Sequence, residues 1–377
     1  MTAPAALDEF RAHCRAVLAE HAVPFHDRWE AEGIVDRSFW QAVGRAGLLG
    51  TGVPVEHGGG GEPGFRRTAV LSEELVRAGV TAPGIVAHND VVASYLTART
   101  TDEQKRRWLP GACTGELVAA IALTEPTGGS DLAGIRTTAV RDGDCYRLTG
   151  AKTFVTNGEH ADLAVVAART SDAPGTRGIS LFVVERGTPG LHRGARLPTL
   201  GWRASDVGEL EFDGARVPAA NLLGREGAGA VALMGGLPRE RLSIAAVALA
   251  SAELALARAV EHARERHAFG NPIGALQHNR FTLATADTEV TIARVFVDHC
   301  IDALDAGQLT VTDAAKAKWW TTELQVRIAD RALQLHGGHG YLDGSPAGRE
   351  WLNSRVQTIY GGSTEVMKEL IGRSLGL

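Results

Sequence analysis

At 377 residues, with 44% hydrophobic and 22% charged side chains, the chain can build two or three domains or one large composite fold, which excludes a small stapled scaffold and wholesale disorder. A net charge of -5 offers no global positive field for a nucleic-acid backbone. The four cysteines, Cys14, Cys113, Cys145 and Cys300, are scattered without a CxxC pair, which predicts a reducing compartment rather than a disulfide framework. The N-terminus lacks a basic segment followed by an apolar core, and no stretch approaches the ~18 apolar residues of a membrane span. A cytoplasmic protein without membrane or nucleic-acid partners is expected.

From residue 1 to about 120 the apolar positions recur at helical spacing, as in Leu7, Phe10, Cys14, Val17 and Leu18, or Phe39, Val43 and Ala46, between turns bearing Gly and Pro. From 121 to 225 the texture changes to short β-prone runs at Cys145 to Leu148, Ala164 to Ala167, Ile179 to Val184 and Leu210 to Phe212. Ser171 to Arg177 reads as a loop between two of them. From 226 to 377 helical periodicity returns, with Leu242, Leu249 and Leu256 seven apart in an Ala-rich run of roughly 25 residues, longer than an average helix. The expected fold class is mainly α with an inserted β domain and a closing helical bundle.

Several familiar chemistries are excluded. His262 and His267 lack the HExxH pattern, and His336 and His339 lie in a Gly-rich turn without Cys or carboxylate companions, so no metal site is expected. The segments starting at Gly128 and Gly361 open like a GxSxG elbow but lack its last glycine. No GKS or GKT follows Gly58 to Gly61, and no GxGxxG signature is present, so a dinucleotide would need another kind of fold.

What remains is a set of five segments: Leu123 to Asp131 (LTEPTGGSD), Gly150 to Gly158 (GAKTFVTNG), Arg266 to Gly270 (RHAFG), Gln334 to Tyr341 (QLHGGHGY) and Ile359 to Val366 (IYGGSTEV). Hydroxyls and backbone N–H groups in such turns suit a flavin ring edge and a pyrophosphate. In their order and spacing, together with the stretch from Gly201 to Pro218, they resemble the acyl-CoA dehydrogenase family over essentially the whole chain. The resemblance implies an N-terminal helical domain, a middle β-barrel-like domain and a C-terminal four-helix bundle. It also implies FAD at a subunit interface and a homotetramer. Carried over by motif, Thr124, Ser130, Phe154 and Thr156 face the flavin and phosphates, and Ser130 also touches the substrate thioester. Arg266, Phe269 and Gln277, with Gln334, Gly337 and Gly338, hold the pyrophosphate and adenosine, partly for a neighbouring subunit. Ser363 and Glu365 are the last FAD contacts, and Arg241 and Gly361 lie on the substrate.

Many family members carry a glutamate in the tail motif where this chain has Gly361. A smaller group, including isovaleryl-CoA and long-chain acyl-CoA dehydrogenases, carries the base on a C-terminal-domain helix in an ERL motif. Here that motif is Glu240, Arg241 and Leu242, and the tail resembles the long-chain type. The resemblance implies that Glu240 removes the α-proton of an acyl-CoA while a hydride passes from the β-carbon to flavin N5, with an electron-transfer flavoprotein as acceptor in fatty acid metabolism. A carrier-protein thioester, or oxidase or monooxygenase chemistry in a biosynthetic pathway, is the alternative. By itself, Glu240 after Pro238 also reads as a first-turn glutamate complementing a helix dipole.

Overall fold

A computed structural model describes residues 4–80 and 84–377; residues 1–3 and 81–83, part of the expected helical region, lie outside them. Helices α1 (Pro4–His21), α2 (His26–Glu32), α3 (Arg37–Arg45), α4 (Arg66–Arg77), α5 (Ala93–Arg99) and α6 (Asp102–Thr114) come first. Their apolar stripes are the buried ones: α3 turns Phe39, Trp40, Ala42 and Val43 inward. Helix α6 starts on a capping box, the Gln104 N–H donating to Thr101 Oγ1 at 3.2 Å and the Thr101 N–H to Gln104 Oε1 at 2.9 Å.

Next come β1 (Ala119–Ala122), β2 (Thr138–Asp142), β3 (Cys145–Val155), β4 (Leu163–Arg169), β5 (Ile179–Glu185), β6 (Leu191–Arg196), β7 (Gly208–Pro218) and β8 (Leu222–Leu223). They form one sheet in the order β6-β7-β3-β2-β4-β5-β8, with β1 added beside β4. Side chains alternate across a strand, so the register explains the two kinds of β-prone run. On β4 and β5, Val165, Ala167, Leu181 and Val183 pack with Val92, Leu96, Trp108 and Leu109 of the helical region. The intervening Ala164, Val166, Phe182 and Val184 pack with Tyr146, Leu148, Phe212 and Val217 of β3 and β7. Both faces of β4 and β5 are buried, hence the unbroken apolar runs, whereas β3 and β7 expose alternate residues. The Ser171 to Arg177 stretch is a loop.

The last part holds α7 (Gly229–Glu265), the short strands β9 (His267–Ala268) and β10 (Asn271–Pro272), then α8 (Gln277–Asp305), α9 (Val311–His336), α10 (Pro346–Gln357) and α11 (Thr364–Ser374). Ion pairs and ring contacts tie these helices together. Arg294 of α8 grips both carboxylate oxygens of Glu253 of α7, at 2.8 and 2.7 Å. Arg258 of α7 pairs with Glu350 of α10, and His262 of α7 stacks on His336 of α9 with centroids 4.2 Å apart.

Within the described residues, 4–68, 84–199 and 203–237 form one compact unit, and 69–80, 200–202 and 238–377 form a second. The division falls within α7, next to Pro238. One sequence expectation is corrected here. Helix α7 does contain an 18-residue window apolar enough to cross a membrane by length and composition, but 67% of that window is buried inside the protein, as in a core helix.

Candidate active site

Pro238 does not start a helix: α7 begins at Gly229 and runs through it. The proline ring withdraws one backbone N–H and frees the carbonyl a turn earlier, a weak point in any helix. Just before it, Gly236 is required by close approach, since a Cβ there would lie 2.4 Å from the Tyr95 hydroxyl oxygen. Glu240 therefore stands in the interior of a long helix, where a first-turn role with the helix dipole is excluded.

In the second unit Glu240 meets the tail. Gly361 has φ +64, and a Cβ built on it would fall 2.2 Å from Ile244 Cδ1 and 3.7 Å from Glu240 Oε1. Glycine suits position 361 because its backbone is left-handed and because a Cβ there would displace the end of the Ile244 side chain, one helical turn beyond Glu240. The helix-borne carboxylate occupies the region into which a tail side chain would project.

Burial raises the Glu240 pKa above the ordinary carboxylic range, opposed by the positive charges of Arg241 and Lys318. The residue keeps a partial opening to solvent. Burial lowers the Arg241 pKa against the pull of Glu240, and its guanidinium Nε and Nη1 have no hydrogen-bond partner. Buried donors without acceptors are costly, so two are held ready for an oxygen-bearing ligand. Burial and the Glu240 charge push the Tyr360 hydroxyl upward. The Tyr360 ring packs on Trp202, centroids 5.8 Å apart, and the Trp202 N–H donates to Asn353 Oδ1 at 2.6 Å.

Sequence reasoning missed Lys318. It is fully buried on α9 and donates from Nζ to the Gly362 carbonyl at 2.7 Å. The signal was present in the helical period: Lys318 falls on the buried face with Ala314, Ala315, Ala317, Thr321 and Thr322, whereas the neighbouring Lys316 is exposed. Ser363 caps α11, accepting from the Val366 N–H at 3.4 Å, and Glu365 is exposed in the first turn, its pKa lowered by the Ser363 hydroxyl.

The remaining predicted residues form two further groups. Arg266, Phe269, Gln277, Gln334, Gly337 and Gly338 are exposed near the α7 C-terminus, where Arg266 accepts from the Ile273 N–H at 2.8 Å and His262 feels the charges of His336 and Arg266. Glu240 and Glu265 are roughly 37 Å apart along α7 at about 1.5 Å per residue. Thr124, Ser130, Phe154 and Thr156 belong to the first unit. There a buried ion pair ties two of the predicted segments: Lys152 Nζ donates to Glu125 Oε1 at 2.8 Å and to the Leu123 carbonyl at 3.1 Å. The Thr153 N–H reaches the Thr124 carbonyl at 3.0 Å.

Backbone strain marks the cofactor candidates. Among the described residues the non-glycine positions with positive φ are Phe154, Asn157, Trp202 and Phe269, and the rings of Phe154 and Phe269 are 68% and 88% exposed. A left-handed backbone that turns a large apolar ring toward solvent is expensive in isolation and suits a flat ligand. At Gly337 and Gly338 a Cβ would meet nothing within 4 Å, leaving open backbone for a phosphate or sugar. These residues fit a flavin dinucleotide.

Residues 4–116, 120–215 and 227–376 match the N-terminal, middle and C-terminal domains of acyl-CoA dehydrogenase. The chain is 40% identical over 372 residues to the mitochondrial long-chain specific acyl-CoA dehydrogenase of Rattus norvegicus, covering 98% of this chain and 86% of that protein. It is 35% identical over 341 residues to the mitochondrial isovaleryl-CoA dehydrogenase of Pongo abelii, covering 90% of this chain and 80% of that one. The crystal structure of an acyl-CoA dehydrogenase from Geobacillus kaustophilus superimposes with a TM-score of 0.98 at 45% identity, covering 100% and 99% of the two chains. With all three domains matched in order over nearly its whole length, the chain belongs to the acyl-CoA dehydrogenase family, whose members are FAD-dependent oxidoreductases.

Proposed function

We propose that this chain α,β-dehydrogenates an acyl-CoA and that Glu240 is its base. The observation that carries the assignment is the approach of the Glu240 carboxylate to Gly361 at the tail turn. A base needs only to reach the α-proton, and its origin on helix or tail is secondary. Burial raises the Glu240 pKa and keeps the carboxylate basic, while the positive charges of Arg241 and Lys318 oppose that shift and favour its ionised form. The Gly361 N–H pins the thioester carbonyl, stabilising the charge that develops when the α-carbon is deprotonated. The unpartnered Arg241 donors bind the substrate beside it. Glu240 takes the α-proton, the β-hydrogen leaves with its electron pair, and a trans-2-enoyl thioester remains. FAD, when bound, would supply the two-electron acceptor; Thr124, Ser130, Phe154 and Thr156 are its candidate contacts on the first unit, and Ser363 and Glu365 are candidates on the second.

Glu240 and the cofactor candidates beside Arg266 lie at opposite ends of a stretch of α7 roughly 37 Å long, which supports completion of each site by a neighbouring subunit, and the family resemblance favours a homotetramer. The free thiols of Cys14, Cys113, Cys145 and Cys300 support a reducing, cytoplasmic setting. An electron-transfer flavoprotein would then carry the electrons away.

Anaerobic titration with saturated acyl-CoAs of differing length and branching tests the reading. Bleaching of the flavin by one class is expected, and loss of bleaching with retention of bound flavin is expected for Glu240→Gln. A Glu240→Gln protein that still bleaches at the normal rate would overturn the assignment. Sedimentation of the holoprotein tests the tetramer, and a monomer that binds FAD tightly would sink it.

A further inference from the structure

We propose that Lys318 is a positioning residue for the reaction: from the buried face of α9 it grips the Gly362 carbonyl and so sets the tail turn, and the Gly361 N–H within it, against the Glu240 carboxylate. The inference rests on Glu240 being the base.

The tail turn has little to define its own shape. Gly361 and Gly362 take consecutive positive φ angles of 64° and 94°, conformations a flexible pair of glycines leaves readily. Its position must be imposed from outside. On one side Thr364 anchors it, the backbone N–H donating to the Thr358 carbonyl at 3.1 Å and the hydroxyl to Glu323 Oε1 at 2.9 Å. On the other side stands Lys318, fully buried, with Gly362 O at 2.7 Å from its Nζ. A fixed turn is what a carbonyl-pinning N–H requires, because small displacements of such a donor are costly to the rate.

The choice of lysine carries a second message. An ammonium removed from water to serve one neutral carbonyl is expensive, and a neutral donor would make the same bond at lower cost. The positive charge is accounted for by its surroundings. Glu240 and Arg241 face it from α7, Glu323 from its own helix, Glu365 from α11, and Tyr360 occupies the turn beside Glu240. Burial and the nearby Arg241 lower the Lys318 pKa to about 8, while Glu240, Glu323 and Glu365 oppose the shift. Lys318 is therefore charged at neutral pH and favours the ionised, proton-accepting form of Glu240. Raising the pH through about 8 discharges it, which weakens its hold on the Gly362 carbonyl and removes its positive field from the turn.

The test compares Lys318→Met, Lys318→Gln and Lys318→Arg with Glu240→Gln in the holoenzyme, reading single-turnover flavin reduction against pH and, by calorimetry, the affinity for the saturated acyl-CoA that reduces the wild type and for the 3-oxoacyl-CoA of equal length, whose acidic α-carbon ionises on binding. For Lys318→Met the rate should fall about a hundredfold. Its acid limb should move to higher pH, its alkaline limb near pH 8 should vanish, and enolate-forming 3-oxoacyl-CoA should lose more affinity than saturated acyl-CoA. Lys318→Arg should recover part of the rate. Lys318→Gln retains a donor without the charge, so it should share the shifted acid limb, and it decides the matter if the Met variant does not fold. Lys318 variants with wild-type profiles and ligand preference, beside an inactive Glu240→Gln, would overturn the positioning role and leave the base intact. An active Glu240→Gln would overturn both.

Discussion

Glu240 Oε1 lies 3.7 Å from the point at which a side chain on Gly361 would begin, so helix and tail converge on one location although the residues are far apart in sequence.

Gly361→Ala places a Cβ on a left-handed backbone, at about 1–2 kcal/mol, and against Ile244 Cδ1 as well. The Tm should fall, and flavin reduction should slow with it. Ile244→Val, which deletes that methyl group, should cost about 1 kcal/mol alone yet recover part of the loss in the double variant. A double-mutant cycle checks this, and strict additivity would contradict the close approach.

Phe154 combines φ 54 with a ring 68% exposed. Phe154→Gly relieves about 1 kcal/mol of left-handed strain and removes little packing, so FAD-free protein should melt no lower than the wild type. FAD affinity should weaken about tenfold as the ring contact is lost. Melting of the apoprotein and fluorescence titration with FAD separate the two effects. A large fall in apoprotein Tm would mean that the ring serves the fold.

Burial pushes the Glu125 carboxyl upward, but the Lys152 ammonium and the Thr137 and Arg136 donors outweigh it and hold the pKa at about 2, against an ordinary 4.5. A carboxylate with a depressed folded pKa stabilises fully above its unfolded value, and the contribution disappears as pH falls through 4.5 toward 2. The size is about 3 kcal/mol. Lys152→Met should cost about 3–5 kcal/mol near neutrality, because it strands a buried charge. Glu125→Gln should flatten the acid arm of the stability curve, and urea titrations between pH 3 and 7 check both. If Glu125→Gln keeps the full acid dependence, another carboxylate governs it.

The order of elements and the β-prone runs could be read from periodicity, because burial on one face or both leaves its imprint on every second or every third to fourth residue. The motif segments also pointed to residue types suited to a cofactor, and the structure adds the positive φ angles and exposed rings of Phe154 and Phe269. Continuity of α7 through Pro238 could not be read locally: two glycines followed one residue later by a proline look like a boundary, and only the close approach of Arg99 to Gly235 and of Tyr95 to Gly236 shows why those glycines are there. Lys318 was hidden because lysine is ordinarily a surface residue, and nothing near it in sequence reveals that its partner lies beyond the end of the next helix.

The crowding at Gly361 also constrains the order in which substitutions can accumulate. A glutamate restored there would meet Ile244, a left-handed backbone and a carboxylate already in place, and two such groups side by side resist shared ionisation. A tail-borne acid would therefore be eased in by a smaller residue at Ile244 and, beside Glu240, would share one site with it and titrate as a pair.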